Sequence, residues 1–433
     1  MKLLVVTPEY LPTSGGGIVT FYRHLLPALV ELGVEVTVVV GSAVHQPGGD
    51  ARSGGLRVVG LTPARFEHRL REFAHLEGAP LLARHLAAAW ALWDEARALG
   101  SFNRVEAVDW GLGFVPWVLR PETPVLVRGH GSLGQIALHE GTPLSMHDAL
   151  TLALERLVLC RASAVASYSH ANVQDWERLL PTAQPCYVAP ALPVASIAAT
   201  SLAPWLLVLA RVQEWKGPWT LGDAMTRDAA LPNVRWVGRD VPGRVSASTL
   251  GELRARQGEV WTHRIEHHAT VPAAVAQDWI GEARAVVVPS RWDVFNFAGA
   301  EAMAAGAVVC ASTGAGMSEL VENGVNGFVA PAGDPAALAD RLRQIAALSA
   351  EQRAEIGQAA RVTIRTRLDP AQVARENRAL LESLDPPKAE ADPLDRLLTP
   401  GGEPGRPYAY LSQYPVRALL SHVAERVKQR WLS

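Results

Sequence analysis

The sequence predicts an α/β protein made of two doubly wound domains side by side. Short apolar runs alternate with stretches of helical period in both halves, and a glycine-rich or cation-bearing loop follows the first strand of each. Between them lies YVAPALPVASIAATSLAPW, Tyr187 to Trp205, whose Pro, Ala and Ser content marks an interdomain linker. With 433 residues, 48% of them hydrophobic, the chain is long enough for two or more packed domains.

Lys2 to Val6 reads as a buried parallel strand. Ile18, Phe21, Leu25, Leu29 and Leu32 then recur at helical spacing before a second strand from Glu35 to Val40, which completes a βαβ unit. The connection TPEYLPTSGGG carries Gly15 to Gly17, and consecutive glycines let backbone approach a ligand closely at the carboxyl edge of a sheet. Pro63 to Gly100 reads as an amphipathic helix or pair of helices packed on that sheet, with a membrane-surface role as the other reading. Further strands are predicted at Val125 to Val127 and Ala164 to Ser167. After the linker, strands follow at Trp205 to Ala210, Val234 to Gly238, Ala285 to Val288 and Val308 to Ala311, and Asp334-Pro335 opens a later helix. The domains expected are 1–195 and 196–385.

The tail, 386–433, begins PPKAEADPLDRLLTPGGEPGRPY and is predicted irregular. It ends in a helix with Val416, Leu419, Leu420, Val423, Val427 and Trp431 on one face beside Arg417, Arg426, Lys428 and Arg430. That face suits docking on the body or a partner subunit, or peripheral contact with anionic lipid at the inner membrane face.

A formal charge of −2 gives no reason to expect nucleic acid as a partner. The apolar start breaks at Thr7-Pro8-Glu9, short of a signal-peptide core, so a cytoplasmic location is expected. Cys160, Cys186 and Cys310 are too few and too scattered for a disulfide framework or a zinc site, and no metal cluster or cofactor motif stands out. His263, His267 and His268 cluster without metal-ligand spacing. Thirteen tryptophans are many for this length, and Trp110, Trp117, Trp215 and Trp292 fall in or beside predicted loops, where an aromatic lines a binding surface.

The strand WLLVLA leads into Arg211, VQEW and Lys216, two cations ahead of a helix N-terminus at the carboxyl end of a sheet, a suitable pair for a diphosphate. The strand AVVVP delivers Ser290-Arg291-Trp292-Asp293, with a helix starting near Asn296 whose amides also favour an anion. Asp293 is a helix cap or a ligand contact. Glu301 sits among Ala, Gly, Phe and Met, where an unpaired carboxylate is costly, so it needs a partner.

EWKG after Arg211, PSRWD followed eight residues on by Glu301, GAGMSELVENGVNGFVAP and the early GGG loop together resemble the retaining GT-B glycosyltransferases of family 4. The resemblance covers nearly all of residues 1–385 and implies two Rossmann-like domains facing across a cleft. It implies that Glu301 holds the ribose of a nucleoside diphosphate sugar, and that Asp293 contacts the sugar together with Asn296 and Phe297. By the same likeness Arg211 and Lys216 neutralise the diphosphate, Gly16 and Gly17 close over it, and His130, in RGHGS, lies near the transferred sugar. Asp109 and Trp110 are the expected acceptor contacts. Asp293 stands one methylene short of the family's usual Glu, and Asn296 replaces a common Gly.

The implied reaction is metal-independent transfer with retention, in which the departing phosphate oxygen takes the acceptor proton on the same face. UDP-sugar is the first expected donor and GDP-sugar the second; the acceptor is open. An epimerase or sugar phosphorylase on the same cleft, or a silent nucleotide- or partner-binding scaffold, are the competing readings. A glycogen-synthase type fits less well, because such enzymes carry Lys before their first glycine pair and this chain reads TSGGG.

Overall fold

The runs LLVVT and VTVVV are buried along their whole length and pair as parallel strands β1 (Lys2–Thr7) and β2 (Glu35–Val40), in register from Lys2 opposite Glu35. β-Branched residues suit a sheet covered on both faces by helices. The structure, a computed structural model, describes residues 1–12, 16–76, 78–140, 145–194, 203–243 and 246–401. The first half continues with β3 (Asp50–Ser53), β4 (Leu56–Gly60), β5 (Arg104–Val108), β6 (Val125–Arg128), β7 (Ala164–Ser167) and β8 (Pro185–Tyr187). Their order is β3-β4-β2-β1-β5-β6-β7-β8, parallel apart from β3 against β4. The chain leaves β1 toward β2 and later returns on its other side as β5, so a switch point opens between β1 and β5.

The second half contains β9 (Trp205–Leu209), β10 (Asn233–Val237), β11 (Ile265–His268), β12 (Ala285–Val288), β13 (Val309–Ser312) and β14 (Phe328–Ala330). The order β11-β10-β9-β12-β13-β14 is fully parallel, with its switch point between β9 and β12. Both halves are therefore doubly wound, as the alternation of runs predicts.

Residues 63–100 form the expected pair of helices, Pro63–Glu72 and Pro80–Ala98, and the second buries Leu82, Leu86, Trp90 and Leu92 in the first half's core. Other sequence expectations are corrected. The stretch read as a linker begins inside β8, and Ala189, Ala191 and Leu192 are buried beyond it; residues 195–202 of that stretch lie outside the described residues. Trp117 is a core residue on the helix Val115–Leu119 rather than a surface aromatic.

The helix Pro370–Ser383 packs on the first half although it follows the second. Arg378 Nη1 donates to the Leu32 carbonyl (2.8 Å), and Asn377 meets Arg128 through its side-chain oxygen. The start of the tail also has a seat there: the Trp90 indole donates to Leu398 O (2.7 Å) and Arg161 pairs with Asp395 (2.6 Å), which gives the expected irregular stretch a short helical turn, Asp395–Leu398. The terminal helix predicted over 416–431 lies outside the described residues. Among the described residues no helix is long and apolar enough to cross a membrane.

Candidate active site

In the second half, the loops after β9 and β12 meet at the switch point. Arg291 N and Trp292 N both donate to Trp215 O, at 2.8 and 3.3 Å, so the loop bearing Arg211 and Lys216 is bonded to the loop bearing Asp293. A glycine is required between Lys216 and the helix Pro218–Arg227: Gly217 has φ +76°, and a Cβ there would run into the Pro289 carbonyl. That contact fixes Lys216 against Asp293, Nζ to Oδ2 at 2.5 Å, with the two side chains only 13% and 11% exposed. Burial lowers the Lys216 pKa and the Asp293 carboxylate opposes the shift. The Lys216 ammonium also sits 4.0 Å from the centre of the Trp215 ring, and the Arg211 guanidinium 5.7 Å from it. Burial lowers the Arg211 pKa, and nearby Arg239 lowers it further against the carboxylates of Glu140, Asp293 and Glu9.

Asp293 is not the cap of the next helix. That role belongs to Asn296, whose Oδ1 accepts from Gly299 N (2.9 Å) while its Nδ2 donates to Asp293 Oδ2 (2.9 Å). Asn296 has φ +78°, a conformation its short polar side chain tolerates. The helix Phe297–Ala305 then carries Glu301, whose partners come from the opposite half: Arg23 Nη2 at 2.9 Å and the Thr20 hydroxyl. Burial raises the Glu301 pKa; Arg23 and Thr20 oppose it. The carboxylate has the partner its surroundings require, but in this structure the partner is protein.

In the first half, the loop after β6 carries His130. Two buried carboxylates hold the loop from behind. Asp109 accepts from His130 N (2.9 Å) and Gly131 N (3.2 Å); Glu155 accepts from Ser132 Oγ (2.7 Å), Gly134 N (3.0 Å) and Leu133 N (3.1 Å). Burial raises Asp109 to about 7 and Glu155 to about 8, with the hydrogen bonds to each opposing the shift. Asp109 is wholly buried, so its place is support of the His130 loop; of the expected acceptor pair, only Trp110 keeps partial exposure. The His130 imidazole is kept neutral by burial, its pKa pushed well below the ordinary value, with Arg128 adding to the effect.

The two sets of loops meet. A Cβ on Gly17 would lie 2.8 Å from the Phe297 ring and one on Gly131 3.6 Å from Trp292, which places the glycine loop and the His130 loop against the segment 292–297. Gly16 N donates to Glu9 Oε1 (3.1 Å), and Gly15 lies outside the described residues. Trp292 stacks on His139 at 4.2 Å, and the Trp215 indole donates to Glu140 (3.3 Å), so these tryptophans seal the junction between the halves. His170 N and Ala171 N, at the start of the helix His170–Leu179, both donate to Glu319 across the cleft at 2.9 Å. Among the described residues no group of three or more His, Cys, Asp or Glu could hold a metal ion; His267 and His268 lie along β11.

Sequence reasoning missed Thr20, Arg23, Tyr168, Glu155 and Glu319. Glu155 has no motif around it, and Arg23 sits on the polar side of an ordinary helix. Two signals were on offer: Glu319 stands inside GAGMSELVENGVNGFVAP, and SYSH at the end of β7 carries a tyrosine among small residues.

Two doubly wound domains with their strand ends and loops facing across one cleft define the GT-B class of glycosyltransferases. The comparisons agree. The sequence model of the "Glycosyl transferase 4-like domain" matches residues 16–191, and that of "Glycosyl transferases group 1" matches residues 203–347. The chain belongs to family 4 of the glycosyltransferases. It is 36% identical over 141 residues to a D-inositol 3-phosphate glycosyltransferase of Xylanimonas cellulosilytica, covering 32% of this chain and 33% of that protein. With D-inositol 3-phosphate glycosyltransferase 1 of Catenulispora acidiphila it shares 30% identity over 152 residues, 32% of this chain and 35% of the other. These matches thus span about a third of the relatives' length.

Among solved structures, the sucrose-phosphate synthase of Thermosynechococcus elongatus superposes with a TM-score of 0.67 at 20% identity, covering 88% of this chain and 98% of that one. Anabaena HepE in complex with UDP and glucose gives 0.63 at 17%, covering 89% and 100%. Both show the fold.

Proposed function

We propose that the protein is a retaining hexosyltransferase that moves a sugar from a nucleoside diphosphate donor, UDP-linked in the first instance, to an acceptor hydroxyl. The observation that carries this reading is the meeting of Arg211, Lys216 and Asp293 at the second sheet's switch point with the loop of His130 from the first.

Breaking the glycosyl–phosphate bond builds negative charge on the diphosphate and positive charge on the sugar. Arg211 and Lys216 stabilise the first, both preorganised against the Trp215 ring, and losing one such donor costs roughly 2.7–4 kcal/mol by analogy with oxyanion sites. Lys216 is held by Asp293 until the diphosphate offers it a second anion. Two fixed cations supply this charge without calling on a metal. Glu301 accepts from the ribose hydroxyls once these displace Arg23 and Thr20. His130, neutral, faces the sugar as a hydrogen-bonding group rather than a charged acid. The departing phosphate oxygen takes the acceptor proton on the same face. Trp110 is assigned to the acceptor wall.

The test is a thermal-shift panel of UDP, GDP, ADP and their sugar conjugates, without added metal, on the wild type and Glu301→Ala. Stabilisation by uridine nucleotides alone, lost in the variant, is the expected result. Turnover with the stabilising sugar conjugate then follows, with D-inositol 3-phosphate, the acceptor in the relatives' names, among the acceptors and the product anomer read by NMR. Stabilisation by no nucleotide at millimolar concentration, or an inverted anomer, refutes the proposal.

A further inference from the structure

Tyr168 follows β7 directly and is buried, with its hydroxyl 2.6 Å from Nε2 of His130 and 3.4 Å from Nδ1. Its ring does not belong to one half. It packs on Phe21 at 4.9 Å within the first half, and on Phe297 at 5.7 Å and Phe295 at 6.3 Å in the second. The next residue fastens the same point: Ser169 Oγ donates to Val294 O (3.0 Å), and Gly316 leaves room for Ser169, whose side chain a Cβ there would meet. A phenol thus bridges the imidazole at the first half's strand ends and the aromatic segment beside Asp293.

We infer that Tyr168 is a positioning residue for the proposed transfer: its hydroxyl donates to Nε2 of His130, leaves the ring proton on Nδ1, and couples that orientation to docking of Phe295 and Phe297 when the halves close. The inference rests on the reading of His130 as a group facing the sugar. A neutral imidazole presents one donor and one acceptor, and the hydrogen bond at one nitrogen decides the role of the other. A phenol that stays protonated in this buried place is a donor of fixed position. An isolated loop histidine would sample both tautomers and several ring angles. With Tyr168 on one nitrogen and Phe21 edge-on at 5.6 Å, the ring has one setting.

Tyr168→Phe removes the hydroxyl and keeps the ring, so folding and the aromatic contacts survive. The first measurement is the long-range proton–nitrogen spectrum of the histidine rings, with the His130 signals assigned by their loss in His130→Gln. The wild type should show a single tautomer protonated at Nδ1, and Tyr168→Phe a changed or mixed one. Identical His130 signals in the two proteins, or a wild type protonated at Nε2, overturn the inference whatever the enzyme's activity. The second measurement is kinetic. The variant should bind donor with a KM within about twofold of wild type and turn over about tenfold more slowly, the effect of one ordinary hydrogen bond. In a His130→Ala background the same substitution should cost nothing further. Losses that multiply across that cycle would also overturn it. A wild type with the expected tautomer and no transfer of any nucleotide-linked sugar would instead sink the proposed function and leave the Tyr168–His130 bond standing.

Discussion

Glu155→Gln is the substitution with the clearest signature, because the carboxylate it replaces is 1% exposed and its surroundings supply neutral hydrogen-bond donors, Ser132 Oγ, Leu133 N and Gly134 N. Burial raises its pKa from 4.5 to about 8, and the neighbouring Asp109 charge raises it too. Between those values the unfolded chain has lost this proton and the folded chain keeps it. The folded state binds more protons, so stability falls as pH rises from about 4.5 to about 8 and is fully present below that window. At ~1.4 kcal/mol per unit, the whole displacement is on the order of 5 kcal/mol. Gln cannot titrate, and its amide accepts on one oxygen only, so the variant starts out less stable at pH 5. From pH 5 to pH 8.5 the wild type should lose ground to it by several kcal/mol, on the order set by that displacement. Urea denaturation of both proteins at half-unit steps of pH reads this as converging midpoints. Asp109 titrates in both proteins, and its coupling to Glu155 is part of the wild-type slope. Midpoints that run parallel across the window would refute the account of Glu155 as a buried acid held neutral behind the His130 loop.

Other substitutions test the remaining parts. Asn296→Ala should destabilise by about 1–2 kcal/mol in denaturant titration, since it loses the cap to Gly299 at a positive φ, whereas Asn296→Gly should cost only a few tenths. Gly217→Ala should lower the melting temperature sharply and abolish nucleotide binding together, because the added Cβ meets Pro289 O and displaces Lys216. Lys216→Ala should reduce kcat by roughly 100-fold or more with intact folding by circular dichroism, the range seen for a lost oxyanion donor.

The fold was largely legible because both sheets are built from short apolar runs with helical stretches between them. β3, β4, β5, β8, β11 and β14 escaped notice, and in three of them the side chains or the length break the pattern for a physical reason. β5, RVEAV, carries Glu106 in its centre, a buried charge made tolerable by Arg128 at 3.1 Å and by the Tyr22 hydroxyl at 3.0 Å. β14 is three residues long, and β8 begins with Pro185 at an edge, where a missing amide does no harm. In the candidate site, Arg211, Lys216 and Asp293 could be singled out because each follows a strand end, and Glu301 because a carboxylate among small apolar residues needs a partner. Their partners could not. Arg23 lies 278 residues from Glu301, and Glu319 lies 149 from His170, so only the packing of two domains brings them together.

The strength of those partnerships follows where each lies. Arg128 and Glu106, inside the first half, are wholly buried and bonded through two nitrogens; breaking one member leaves an uncompensated charge, so this pair holds at all times. The pairs across the cleft are of another kind. Arg23 is 41% exposed and Glu301 21%, and His170 is more exposed still, so each bond is screened by water and worth little net energy. Weak contacts at the rim and an aromatic patch of Phe21, Tyr168, Phe295 and Phe297 at the centre make a junction that can open without breaking either domain. In the proposed transfer, a nucleotide entering between them would exchange Arg23 for ribose hydroxyls at Glu301, a trade of one solvated bond for another. Closure would then cost little at Glu301, leaving the binding energy of the diphosphate on Arg211 and Lys216 to draw the His130 loop onto the sugar.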